Sequence, residues 1–225
     1  MSTLAAGTGA GLDPVLADRV TEALLLAGLP VAHGGHGPGV RLAPDPAAGA
    51  VVLHWLASPR LEDAATAGGE NPAAATRQLV ADAVENALAE FLPALGLDAE
   101  LTTVRAAAGL PAAAPPVPYS ALPPVDPAVR AELVTAVRRS AALAGLPLAT
   151  RPGAAGITLT ACTPTGLPDL GWNPSPRLPA ALRPAVRDAV RHALGVALAA
   201  TGLHLTWHRP PGIEPQLRAH GPSAA

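Results

Sequence analysis

Hydrophobic residues recur along this chain at two spacings, and the same succession of spacings occurs twice. Leu16, Val20, Leu24 and Ala27 fall three or four apart, which puts them on one helix face. Asp13 then Pro14 offers an N-cap and a first-turn proline, and Gly28 offers a C-terminal stop. Short apolar runs of strand length follow at 31–33, 40–43 and 50–56. A longer helical stripe, Val80, Val84, Leu88, Phe91 and Leu95, runs to Gly96, and 97–104 reads as a closing strand.

The second half repeats this order. Asp126-Pro127 heads a stripe of Val129, Leu133, Val137 and Ala141 that stops at Gly145. Strand-like runs follow at 148–150, 157–161 and 167–172, where Pro168 predicts an edge strand. The long helix carries Val186, Val190, Leu194 and Leu198, and 203–208 closes the unit. Each copy therefore predicts α-β-β-β-α-β. The fold class is α+β, an internal duplication of a two-layer sandwich with an antiparallel sheet packed on two helices.

Residue identity supports the duplication. A shift of 117 lays 26–61 over 143–178 without a gap, with 15 of 36 positions identical. Chance in so Ala- and Leu-rich a chain predicts about four. Leu26-Ala27-Gly28-Leu29-Pro30 recurs as Leu143-Ala144-Gly145-Leu146-Pro147. Trp55 with Ser58-Pro59-Arg60-Leu61 recurs as Trp172 with Ser175-Pro176-Arg177-Leu178. A second block, 76–101 over 182–207 at a shift of 106, shares 11 of 26 positions. The first copy thus holds a loop insertion between the blocks, at 62–75, marked by Gly68-Gly69 and Asn71-Pro72. The expected organisation is a first repeat at 13–104, an Ala/Pro-rich linker at 105–125, a second repeat at 126–208 and a loose Pro/Gly-rich tail at 209–225.

Composition narrows the functional classes. Cys162 is the sole cysteine, so an intrachain disulfide and a cysteine-based zinc site are both excluded. The start lacks the basic and long apolar regions of a signal peptide, and the longest uncharged run, 106–125, holds six prolines. A cytoplasmic protein is expected. All 15 basic residues are Arg, and with 27 Pro and 22 Gly this reads as the coding bias of a GC-rich genome.

Little catalytic chemistry stands out. The run His33-Gly34-Gly35-His36 lacks the spacing and the Lys of a phosphate cradle, and as a metal site it needs further ligands such as His54 or Asp45. His204 and His208 share a strand face with no acidic ligand nearby in sequence. Ser58 and Ser175 each precede Pro and read as helix caps, and Trp55 and Trp172 read as core plugs. The expectation is a non-enzymatic chain with no metal and no cofactor.

Charge is distributed unevenly. Residues 1–105 hold five Arg against twelve acids, a net of −7, while 126–225 hold ten Arg against five acids, a net of +5. Arg183, Arg187 and Arg191 form a stripe on the second long helix. Arg60 and Arg77, with their counterparts Arg177 and Arg183, are candidates for a shared anion or partner surface, or for pairing with Asp82 and Asp188. Two binding functions follow. The favoured one is binding of a protein partner, or docking of one repeat on the other through complementary charge. The alternative is nucleic acid or another anion on the Arg-rich second repeat. An enzyme with a site between the repeats ranks third.

Overall fold

The computed structural model describes residues 12–35, 37–45, 47–67, 71–106, 123–162, 167–209 and 214–223. In the first copy, α1 (Pro14–Ala27) precedes β1 (Gly39–Asp45) and β2 (Ala50–Leu56). Then come α2 (Pro59–Thr66), α3 (Pro72–Phe91), β3 (Leu97–Glu100) and β4 (Thr103–Ala106). The second copy runs α4 (Ala131–Ala144), β5 (Gly156–Cys162), β6 (Leu167–Asn173), α5 (Arg183–Ala200), β7 (Leu203–His208) and β8 (Gln216–Pro222). The two antiparallel sheets have matching orders, β1-β2-β4-β3 and β5-β6-β8-β7, and each packs against helices. The duplicated α+β sandwich is present. Among the described residues no helix is long and apolar enough to cross a membrane.

Several local expectations are corrected. The runs at 31–33 and 148–150 contribute only single parallel bridges, Val31 to Val40 and Leu148 to Ile157. The expected strand 97–104 is a hairpin, β3 and β4, turning at Leu101-Thr102. Asp126-Pro127 does not open α4, which begins at Ala131. Its carboxylate instead accepts hydrogen bonds from the backbone of Ala128 and, across to β5, Ala161.

The described residues of the insertion are largely helical, since Ser58 caps α2 and Asn71 caps α3, each with Pro at the first turn. Pro168 lies in an internal strand, but the β6–β8 ladder covers only Asp169 and Leu170, so its missing N–H breaks no bond there. The expected loose tail contains β8, which sits between β6 and β7. Its alternation of buried Leu217 and Ala219 with outward Arg218 and His220 is a strand pattern. Of the expected linker, 107–122 lies outside the described residues.

The two copies share one core. Val80, Val84, Leu88 and Phe91 of α3 are buried in the same cluster as Val186, Val190, Leu194 and Leu198 of α5. The α3–α5 contact is the most extensive between any two elements. Small side chains such as Ala87 and Ala193, equivalent in the repeat and both buried, suit close approach of helix axes.

Around this seam the bonds are reciprocal. Trp55 donates its indole N–H to the carbonyl of Ala144 at 2.9 Å, and Trp172 donates to Ala27 at 2.8 Å. The Ser58 amide donates to Leu143 at 3.1 Å, and that of Ser175 donates to Leu26 at 2.9 Å. The last carbonyls of a helix have no partner within it. Here each copy satisfies two such carbonyls of the other, as in an isologous dimer. The two best-repeated motifs are thus the two sides of one contact. None of the ion pairs between described residues crosses the seam. Among the described residues, apolar packing and hydrogen bonds to backbone dock the repeats, and the ion pairs stay within each copy.

Candidate functional site

An apolar groove opens where α3 of the first copy meets α5 and the β7–β8 hairpin of the second. It is an open depression of about 410 Å³. Leu79 of α3 forms one wall, and Val196 and Ala199 of α5 form the floor. Leu205 and Trp207 of β7, with Leu217 of β8, form the far wall. Leu79, Val196 and Trp207 are large side chains left 52%, 39% and 42% exposed, beside a core in which most such residues are near zero.

Local sequence builds the groove. Gly195 has no side chain where a Cβ would meet the Trp207 ring at 3.4 Å and Leu217 at 3.5 Å, so the indole lies close against α5. His192, one turn earlier, stacks on Trp207 with ring centroids 6.2 Å apart. The repeat makes the groove specific to one side. In the repeat alignment the first copy has Ala89 for Gly195, Glu90 for Val196 and Leu101 for Trp207, and the second copy has Ala185 for Leu79. The repeat thus differs in sequence at the positions that line the groove.

The arginines of interest are arranged differently. Arg183 donates to the carbonyls of Leu178 and Pro176, so it fastens the 175–182 turn to α5. Arg191 pairs with Asp188 at 3.0 Å and Glu214 at 3.8 Å and is nearly buried. Arg77 faces Glu62 at 3.8 Å, Asp82 accepts from Gln78, and Asp188 pairs with Arg191 rather than a shared Arg, so among the described residues the expected pairing of a shared Arg with its Asp forms in neither copy. Arg60 and Arg177 are exposed on the first turn after their serines, and Arg187 is half-buried on α5. The stripe is thus divided between structural bonds and solvent.

The outward face of the second sheet holds a polar cluster. Arg218 donates to Asp169 at 2.9 Å, its register partner on β6. Beside it, a bulge between β7 and β8 skips His220, which sits 4.9 Å from the His204 ring and hydrogen-bonds Thr206 at 2.7 Å. Burial, with His204 and Arg218 nearby, lowers the pKa of His220, which favours a neutral imidazole. Among the described residues no three His, Cys, Asp or Glu gather as metal ligands. His33 is exposed, His36 lies outside the described residues, and Asp45 accepts from the Ala48 amide.

Sequence reasoning missed the groove, because its walls come from both copies. It also missed His220 and Arg218, although the alternation at 216–222 was the signal that marks them as strand residues. Searches against family models, curated proteins and solved structures find no match to this chain.

Proposed function

We propose that this chain is a non-catalytic binding module that takes a protein partner at the Trp207 groove. The observation that carries the reading is the one-sided departure from the repeat. Where the first copy has Ala89, Glu90 and Leu101, the groove has Gly195, which leaves room, Val196, which is uncharged, and Trp207, which supplies an aromatic ring. An aromatic anchor in a shallow apolar depression is the usual centre of a protein contact. The lone Cys162 and the lack of disulfide chemistry suit a cytoplasmic setting.

The test is selection of peptides from a random displayed library on the immobilised full chain. Clones are then compared on two variants, Val196→Glu, which restores the first copy's residue type, and Trp207→Ala. Enriched peptides should lose at least about tenfold in affinity on both, which corresponds to about 1.4 kcal/mol. Peptides that bind all three chains equally, or no enrichment at all, would reject the groove as a partner site. A steep loss of nucleic-acid binding with salt, unchanged by either variant, would favour the Arg-rich face instead.

A further inference from the structure

We infer that the groove's partner is a second copy of this chain, which presents the acidic β3 edge and Leu101 of its first repeat. This rests on the groove being a partner site, as proposed above.

Among the described residues the sheets leave two equivalent edges. β1 and β5 are flanked by bridging residues, Val31 on one and Leu148 and Val125 on the other, whereas β3 and β7 end their sheets. An uncovered edge strand presents unpaired N–H and C=O groups to any extended segment. The two edges differ in chemistry. On β3, Leu97 and Ala99 face the core while Asp98 and Glu100 are exposed outward. On β7, Leu205 and Trp207 face the groove while His204, Thr206 and His208 are exposed outward, with exposed Arg209 following. Set side by side, apolar positions meet apolar and acids meet histidine and arginine, a favourable cross-strand pattern.

Leu101 is the second observation. It is 63% exposed at the tip of the β3–β4 hairpin, with φ of +48°. A leucine in the left-handed region costs about 1–2 kcal/mol, and one this exposed recovers little of that by burial within its own chain. It is an apolar knob at the acidic end, and the basic end of the next molecule carries an apolar hole. The net charges of −7 and +5 steer unlike ends together and disfavour β3 meeting β3. Such a contact is heterologous, so it propagates head to tail and does not close as a symmetric pair.

The experiment is sedimentation equilibrium of the full chain with two exposed-site variants, Leu101→Glu, which lacks the knob, and Val196→Glu, which lacks the hole. The wild type should show a mass that rises with concentration beyond a dimer, and each variant alone should associate at least about tenfold more weakly. An equimolar mixture of the two variants should form a 1:1 pair that grows no further, because one good knob and one good hole remain. Association should weaken when the screening length falls from about 30 Å to about 3 Å between 0.01 M and 1 M salt. A wild type that stays monomeric overturns the inference, and displayed peptides that still need Val196 and Trp207 would leave the groove reading standing. A dimer untouched by Leu101→Glu points to symmetric pairing and also overturns it.

Discussion

Trp55 of the first repeat donates its indole N–H to the carbonyl of Ala144, the last residue of α4 in the second repeat, at 2.9 Å. Trp55 is 2% exposed, so that carbonyl finds its partner inside the protein. Trp172 and Ala27 repeat the arrangement from the other side. Replacement by Phe keeps an aromatic ring and removes the donor. Trp55→Phe and Trp172→Phe should each cost about 1–3 kcal/mol, because a buried acceptor is left unpaired. Urea unfolding followed by far-UV circular dichroism measures this, and a cost confined to one of the two would contradict the reciprocal seam.

Gly28 and Gly145 end α1 and α4 with φ of +86° and +79°. A Cβ on Gly28 would lie 2.8 Å from the Ala155 Cβ, and one on Gly145 would lie 2.8 Å from the Pro38 Cβ, both across the seam. Alanine at either place should destabilise by more than the about 1–2 kcal/mol that the left-handed backbone alone costs. Gly202→Ala is the control, with φ of +92° and nothing within 4 Å. Equal losses at all three places would mean that the close approach across the seam is unimportant.

Glu85 of α3 accepts the Trp55 backbone amide at 2.9 Å, supplying a partner at a part of β2 beyond its ladder with β4. Burial raises its pKa, and the Trp55 amide and nearby His54 oppose that rise only in part. The folded state therefore holds the Glu85 proton to higher pH than the unfolded chain does. This group's contribution to stability is full below the ordinary glutamate pKa and is lost as pH rises through the raised value. Glu85→Gln retains an acceptor and removes the charge. Its stability should stay within about 1 kcal/mol of wild type at neutral pH, while its profile loses the downward slope just above the ordinary glutamate range. An unchanged slope in the variant would assign the titration to another group.

Arg183 and Arg187 lie one turn apart on α5 and have different work. Arg183 holds two backbone carbonyls, at 3.0 Å and 2.9 Å. Arg183→Ala should cost about 1–3 kcal/mol, since charged donors make the stronger hydrogen bonds. Arg187→Ala should stay within about 0.5 kcal/mol, as surface changes usually do. Thermal unfolding separates the two, and a larger loss at Arg187 would mean that the stripe acts as one unit.

Leu101→Gly tests the hairpin tip directly. Glycine adopts φ of +48° without a Cβ clash, and the leucine it replaces is mostly exposed. The variant should gain about 1 kcal/mol of stability while losing self-association. A loss of stability would show that Leu101 packs within its own molecule.

The sequence alone determined the duplication, the two long helices, five of the strands and the burial of Trp55 and Trp172. Those features are local or repetitive. A 3.6-residue stripe, a capping residue and an apolar run are legible wherever they stand, and an offset comparison needs no geometry. Only the tertiary structure decided how the copies meet. The Leu-Ala-Gly-Leu-Pro and Trp-x-x-Ser-Pro-Arg-Leu motifs were visible as repeats, yet nothing local shows that Trp55 seeks Ala144, 89 residues away. The same holds for β8, whose place between β6 and β7 depends on a ladder of only Asp169 and Leu170 with Arg218 and Leu217. The groove belongs to this second class. Leu79 and Val196 look like unremarkable helix positions until α3 and α5 pack, because a concave surface is made by pairs of elements and is encoded in neither of them.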